Sequence, residues 1–293
     1  CYTEHRWQDV VEAIKSLGEQ TLAPSEVLLV VDHNEELLRR ACGAFDGIRV
    51  LANSHRRGLS GARNTGVEAA TGVIVAFLDD DASADPEWLA TMLAPYRDPD
   101  VAAVGGTAVP VWPDGRAPAL LPAELYWIIG CGFTGQPARL AEVRNLMGCA
   151  MSFRRDLVLR LGGFAEQVGR TAALPLGCEE TELCIRLRQR VPGAKVLLQP
   201  AATVRHRVSA DRVSWRYLRR RSWAEGLSKA AVSTLVGQRD ALSTERSYVR
   251  SVIPLALVRE LTASLRGRSG RGRAAALAAA GGLLLATASA GAG

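Results

Sequence analysis

Apolar positions along the first hundred residues follow two alternating rhythms. In "EHRWQDVVEAIKSL" the residues Trp7, Val10, Val11, Ile14 and Leu17 recur at helical spacing, and Gly18 closes the pattern. "VLLVVD" at 27–32 is instead a short continuous apolar run, the signature of a strand covered on both faces. The same alternation predicts helices near 34–42, 60–70 and 86–94, and strands near 48–52, 73–78 and 101–105. Helix and strand taking turns in this way specify an α/β fold with a doubly wound, mostly parallel sheet. After Gly106 the prolines Pro110, Pro113, Pro118 and Pro122 break the rhythm. A helix is expected through "AELYWIIG", and a long basic helical pattern runs from Asp211 to Val236.

Ligands of such sheets sit beyond the carboxyl ends of the strands. Asp32 lies at one of these ends, and Asp79, Asp80 and Asp81 follow the apolar run "VIVAF" at another. Three adjacent carboxylates repel one another unless a cation or a set of donors sits against them. Short acidic runs commonly cap helices, but here Asp85, just before Pro86, suits that role better. Asp79 and Asp81 therefore read as ligands for a hard cation, Mg2+ or Mn2+, shared with substrate phosphates. Upstream, "NSHRRGLSGARNTGVEAATG" mixes Gly58, Gly61 and Gly66 with Arg57, Arg63 and Asn64. Glycines allow close backbone approach and arginine offers a planar fork to phosphate or base oxygens, so a nucleotide diphosphate pocket is expected. The GxGxxG dinucleotide pattern after the first strand is absent.

Charge changes the picture at the other end. Residues 205–273 hold 16 Lys and Arg against five Asp and Glu, whereas the whole chain of 293 residues is only +6. An acidic body with a basic tail suits an anionic membrane surface or a phosphate-bearing substrate, and no nucleic-acid motif accompanies the charge. The tail ends in "RGRSGRGRAAALAAAGGLLLATASAGAG", a basic cluster followed by about twenty uncharged residues, near the length that spans a bilayer. Its Ala and Gly leave a membrane span, a membrane-lying helix and a packed terminal helix all open. The six cysteines form no CxxC pair, which suggests a reducing compartment and mostly buried thiols. The opening "CYTEHRWQDVV" has neither Met nor an apolar leader and is expected to be truncated.

Seven motifs follow one another in order: "VVD" at 30–32, "RGLSGARNTG" at 57–66, "FLDDDA" at 77–82, "MSFRR" at 151–155, "LGGF" at 161–164, "CEETELCIRL" at 178–187 and "PAATVRH" at 200–206. As a series they resemble the family 2 glycosyltransferases of the GT-A fold. Within the family, "EETEL" and "RSWAEGLSK" look most like transferases with polyprenyl-phosphate acceptors, such as archaeal glucuronosyltransferases acting on dolichyl-phosphate-linked sugars. The resemblance implies that Asp32 reads the nucleotide base and that Arg63 and Asn64 lie along the nucleotide. Tyr2, Thr3, Glu4, Arg57, Gly58, Asp79 and Asp80 complete the nucleotide set, and Asp81, Asp79 and His206 hold the metal. The family motif has Asp where this chain has Glu180, the position of the catalytic base, and Glu179 and Glu182 remain alternatives. Helical spacing sets Glu180 near Cys184 on one face and Glu179 with Glu182 on a neighbouring one. A carboxylate there suits direct displacement at an anomeric carbon, which needs one base and one cation behind the departing diphosphate.

The implied organisation is a GT-A catalytic domain over 1–210, with a nucleotide half at 1–106 and an acceptor half at 107–210. A basic helical extension follows at 211–265, then a basic cluster and membrane-associated helix at 266–293. The implied activity is inverting transfer of a sugar from a nucleoside diphosphate donor to a hydroxyl on a lipid-linked or small-molecule acceptor, at the cytoplasmic face of a membrane. Two rivals are a nucleotidyltransferase acting on sugar phosphates and an inactive binding subunit of the same fold. The first expects its Gly-rich basic loop right after the first strand, and the second expects the acidic residues to be lost; neither holds.

Overall fold

The computed structural model describes residues 1–170, 176–266 and 272–293. Arg268 and Arg271 of the basic cluster lie outside the described residues. In chain order the elements are α1 (Trp7–Gly18), β1 (Leu28–Val31), α2 (Glu35–Ala44), β2 (Arg49–Ala52), α3 (Leu59–Ala69), β3 (Ile74–Leu78), β4 (Ala82–Ala84), α4 (Trp88–Leu93), β5 (Val101–Val111), β6 (Ala141–Glu142), β7 (Ala150–Arg154), α5 (Arg155–Arg160), α6 (Glu179–Arg190), β8 (Lys195–Arg207), α7 (Trp215–Val236), α8 (Gln238–Ala241), α9 (Ser243–Arg266) and α10 (Arg273–Ala292). They form two compact units, one of Cys1–Val109 with Pro137–His206 and one of Pro110–Gln136 with Arg207–Gly293. Segment 110–136 thus groups with the C-terminal helices and not with the strands that flank it in sequence.

In the first unit β1 and β2 pair in parallel, Val31 opposite Ala52. A six-stranded sheet carries the order β3, β7, β5, β8, β4, with β6 on β8. β7 runs antiparallel between β3 and β5, so β3 and β5 point the same way. Periodicity shows that a segment is a strand but not which neighbour it takes, so this mixed pairing was not readable from the alternation. Phe77, Phe153 and Phe164 meet edge to face, 5.4 to 6.3 Å between centroids, at the centre of the core. Two local expectations change. A three-residue strand, β4, follows the acidic run and pairs antiparallel with β8, setting Ala82 opposite His206. Asp85 does not cap α4: the Trp88 N–H bonds its main-chain carbonyl at 2.9 Å, which leaves the carboxylate to Arg205 Nε at 2.9 Å.

The second unit is helical. α10 packs against both α7 and α9, and small residues let it approach closely. A Cβ on Gly226 would collide with the Ala290 carbonyl, and one on Gly282 with the Leu120 carbonyl. The helix expected through "AELYWIIG" is a 3-10 helix, Ala123–Ile129. It is pinned to α9 by the Tyr248 hydroxyl on the Glu124 carbonyl at 2.7 Å and by Arg259 forking onto the Glu124 carboxylate at 2.8 and 3.2 Å.

Candidate active site

The first unit gathers its carboxylates where β1 and β3 end. Asp32 accepts from the Asn53 amide at 2.6 Å and from the Gly58 N–H at 3.0 Å, and the loop between those residues closes over it. Gly58 has φ +137°, a conformation that side-chain-bearing residues rarely adopt. Arg57 reaches back to the His33 carbonyl at 2.9 Å. Tyr2 is exposed beside Arg6, Thr3 accepts from the His5 N–H, and Asn34 donates to the Tyr2 carbonyl. The carboxyl of Glu4 is held below the usual range by hydrogen bonds, the first from its own backbone and the next from Asn34.

α3 carries the two polar residues of "ARN" into the interior. The Asn64 amide accepts from the Phe164 N–H at 2.7 Å and donates to the Phe164 carbonyl at 3.0 Å, fastening the "LGGF" turn. Gly163 in that turn is left-handed, and any Cβ would strike the same amide. Arg63 is buried and grips three partners: Glu179 Oε1 at 2.6 Å, the Gly148 carbonyl at 2.9 Å and Asp79 Oδ1 at 3.2 Å. Burial opposes its charge, but Glu179, Asp79 and Glu180 together raise its pKa further.

Asp81 is the most enclosed of the three aspartates. Its Oδ1 meets His206 Nε2 at 3.2 Å, because the β4–β8 register delivers His206 beside it. Its Oδ2 meets Arg6 Nη1 at 3.0 Å, and that nitrogen also donates to Asp80 Oδ1 at 3.1 Å. The Arg6 pKa is raised by Asp81 and Asp80 against the opposing cost of burial. Asp79, Asp81 and His206 each offer one ligand atom, all within 4.8 Å of one another. Two carboxylates and an imidazole suit Mn2+, and the two arginines hold the neighbouring carboxylate oxygens in place, so these residues fit a divalent cation.

The three glutamates of "EETEL" have different surroundings. Glu182 is buried and forked onto Arg186 at 2.6 and 2.7 Å, and Arg186 donates onward to the carbonyls of Leu161 and Gly163. Glu179 is buried against Arg63. Glu180 is partly exposed, with the Thr181 hydroxyl 3.3 Å from its Oε1. Just before them Cys178 is left-handed at φ 72°, as His33 is at φ 51° beside Asp32. Left-handed non-glycine backbone thus stands beside both sets of acids. Burial pushes the Cys184 thiol up to about 12.

Sequence reasoning passed over Arg6, which lies in an unremarkable "EHRW", and His55. His55 Nδ1 meets Glu166 Oε1 at 2.9 Å and Nε2 meets Glu68 Oε1 at 3.0 Å, strapping the 53–58 loop to the 161–170 turn. Hydrogen bonding to Glu68, then to Glu166, raises its pKa above 6.5, burial opposing. The charged strap is therefore fully stabilising below about pH 6.5 and is lost as pH rises through the raised value. Thermal unfolding should show wild type losing stability relative to H55Q between neutral and alkaline pH; parallel curves would remove the strap.

The comparisons with known proteins agree with this architecture. The sequence profile of glycosyl transferase family 2 matches residues 1–162. The glucosyl-dolichyl phosphate glucuronosyltransferase of Haloferax volcanii is 35% identical over 264 residues, 89% of this chain and 83% of that protein. The pre-mycofactocin glycosyltransferase of Mycobacterium tuberculosis is 32% identical over 56% of this chain and a third (33%) of its own length. Among solved structures, the mannosyltransferase PcManGT from Pyrobaculum calidifontis, in complex with GDP-Man and Mn2+, aligns with 98% of this chain and 84% of its own at TM-score 0.59 and 20% identity. GalNAc-T7 with UDP, GalNAc and Mn2+ aligns with 74% of this chain and 45% of its own at TM-score 0.51 and 19% identity. With the profile covering more than half of the chain and a relative matched along most of its length, the chain belongs to glycosyl transferase family 2 and is a glycosyltransferase of the GT-A fold.

Proposed function

We propose that the chain transfers a sugar, with inversion, from a nucleoside diphosphate donor to a hydroxyl on a polyprenyl-phosphate-linked acceptor, at the cytoplasmic face of a membrane. One observation carries the chemistry: the buried Arg63 guanidinium joins Asp79 to Glu179, so the acidic strand end and the first turn of α6 form one site. Asp79, Asp81 and His206 hold Mn2+ or Mg2+, which when bound neutralises charge on the departing diphosphate. Asp32, Asp80 and the 57–64 segment receive the nucleoside. Glu180 takes the proton from the acceptor hydroxyl, because Glu182 is committed to Arg186 and Glu179 to Arg63. Attack from the side opposite the leaving diphosphate, with one base and no enzyme nucleophile, inverts the anomeric carbon. The lipid-linked acceptor is supported by the likeness to the Haloferax volcanii glucuronosyltransferase. The cytoplasmic side is supported by six free cysteines.

A donor panel read by nucleoside diphosphate release, with and without Mn2+, tests the reading. Release that needs both the cation and a lipid-phosphate sugar acceptor is expected. Pyrophosphate release would point to nucleotidyl transfer, and no release with any donor to a binding subunit.

A further inference from the structure

We propose that the exposed helical face of the second unit is a docking surface for an anionic lipid bilayer, with α10 lying in the plane of the interface and not crossing it. The proposal rests on the membrane-side reading above and adds the surface that would realise it. On α7, Trp215, Arg219 and Trp223 follow one another at four-residue steps with Arg216 and Arg220 beside them, so all five share one side of the helix. All five are exposed, and Arg216, Arg219 and Arg220 make no hydrogen bond or ion pair among the described residues. Three arginines without a counter-charge, bracketed by two half-exposed indoles, have the composition of a membrane-interface belt facing phosphate headgroups.

The neighbouring helices carry exposed apolar residues as well. On α10, Leu277 and Leu284 stand one heptad apart and are 56% and 60% exposed. At about 100° per residue both lie roughly 140–160° from Gly282, which is the position pressed against the Leu120 main chain. α10 thus has an inner face committed to protein and an outer face of leucine. On α9, Leu255, Val258 and Leu265 are 60–79% exposed, on the side away from buried Ile253, Ala256 and Glu260.

α10 is long and apolar enough to cross a bilayer by length and composition, and a third (33%) of its apolar window is buried within the protein. Crossing would strip Gly281 from Trp215, Gly282 from Leu120 and the helix end from Gly226. Lying flat keeps these contacts and still buries the leucines, which is the behaviour of an interfacial helix. The unpaired arginines select anionic lipid over a second copy of a chain that carries the same positive charge.

The test mixes the full chain with phosphatidylcholine vesicles, with or without phosphatidylglycerol, and sediments them. Wild type is expected to pellet with the anionic vesicles, and less as salt rises. R216Q/R219Q/R220Q should partition about 100-fold more weakly, and L277E/L284E should stay in the supernatant. Mn2+ affinity by calorimetry and near-UV circular dichroism should match wild type in both variants, showing that they are folded. Alkaline carbonate is expected to release the bound protein. Equal supernatant recovery of wild type with and without anionic vesicles overturns the proposal, as does resistance to carbonate, which would mean a span. So does a wild-type dimer by light scattering that L277E/L284E disperses and that ignores vesicles. A chain that pellets with vesicles but glycosylates only soluble acceptors would remove the acceptor reading and leave this surface standing.

Discussion

Glu180→Gln is expected to lower turnover about 100- to 10,000-fold, the range that loss of a general base commands, while donor and Mn2+ affinity stay near wild type. The amide keeps the shape and hydrogen-bonding reach of the acid but cannot take a proton. Buried Arg63, whose charge Glu180 also favours, keeps its direct contacts to Glu179 and Asp79 in this variant. The neighbouring variants should behave differently. Glu182→Gln removes the charge from the fork onto Arg186, the residue that also holds the 161–163 turn, so its losses should appear in stability. Glu179→Gln leaves Arg63 underneutralised next to Asp79 and should weaken metal affinity along with rate. Measured kcat, Mn2+ affinity and Tm separate the three. Near-normal turnover in Glu180→Gln with collapse in Glu179→Gln or Glu182→Gln would move the base; full activity in all three would remove direct displacement.

Asp81→Ala is expected to abolish Mn2+ binding by calorimetry and to cost about 1,000-fold or more in turnover, since the cation stabilises several kcal/mol of developing charge. His206 and Arg6 both lose their carboxylate partner in this variant, so Asp81→Asn, which keeps the volume, serves as the folding control. Turnover within about tenfold of wild type, only ~1.4 kcal/mol of barrier, would show that Asp81 is not a metal ligand.

What could be read in advance followed from local pattern. Asp32 and the aspartate triplet were visible because each ends an apolar run, and the spacing in "EETEL" already separated the face of Glu180 from that of its neighbours. The Glu182–Arg186 pair is an i, i+4 contact and lies within the reach of sequence reasoning, whereas the Arg63–Glu179 pair joins residues 116 apart and does not. β4 escaped because Ala-Ser-Ala has none of the β-branched or aromatic content that marks strands, and with it went the reason for His206 to stand beside Asp81. Arg6 had no signal beyond a basic residue in a first turn. Its role exists only because the folded unit brings residue 6 to residues 80 and 81.

The long reach of the bonds that fasten α3 bears on how the protein comes into being. Ser60 is tied to Val168, Asn64 to Phe164 and Arg63 to Glu179, across 108, 100 and 116 residues. A chain leaving the ribosome from its N-terminus therefore carries α3 through the synthesis of a hundred further residues with Arg63 and Asn64 still hydrated. Closing loops of that length is paid for in chain entropy before the contacts return it, which makes such closures slow. The contact between α3 and α6 is consequently a late product of folding, and a nascent fragment that stops short of α6 lacks the Arg63–Glu179 pair.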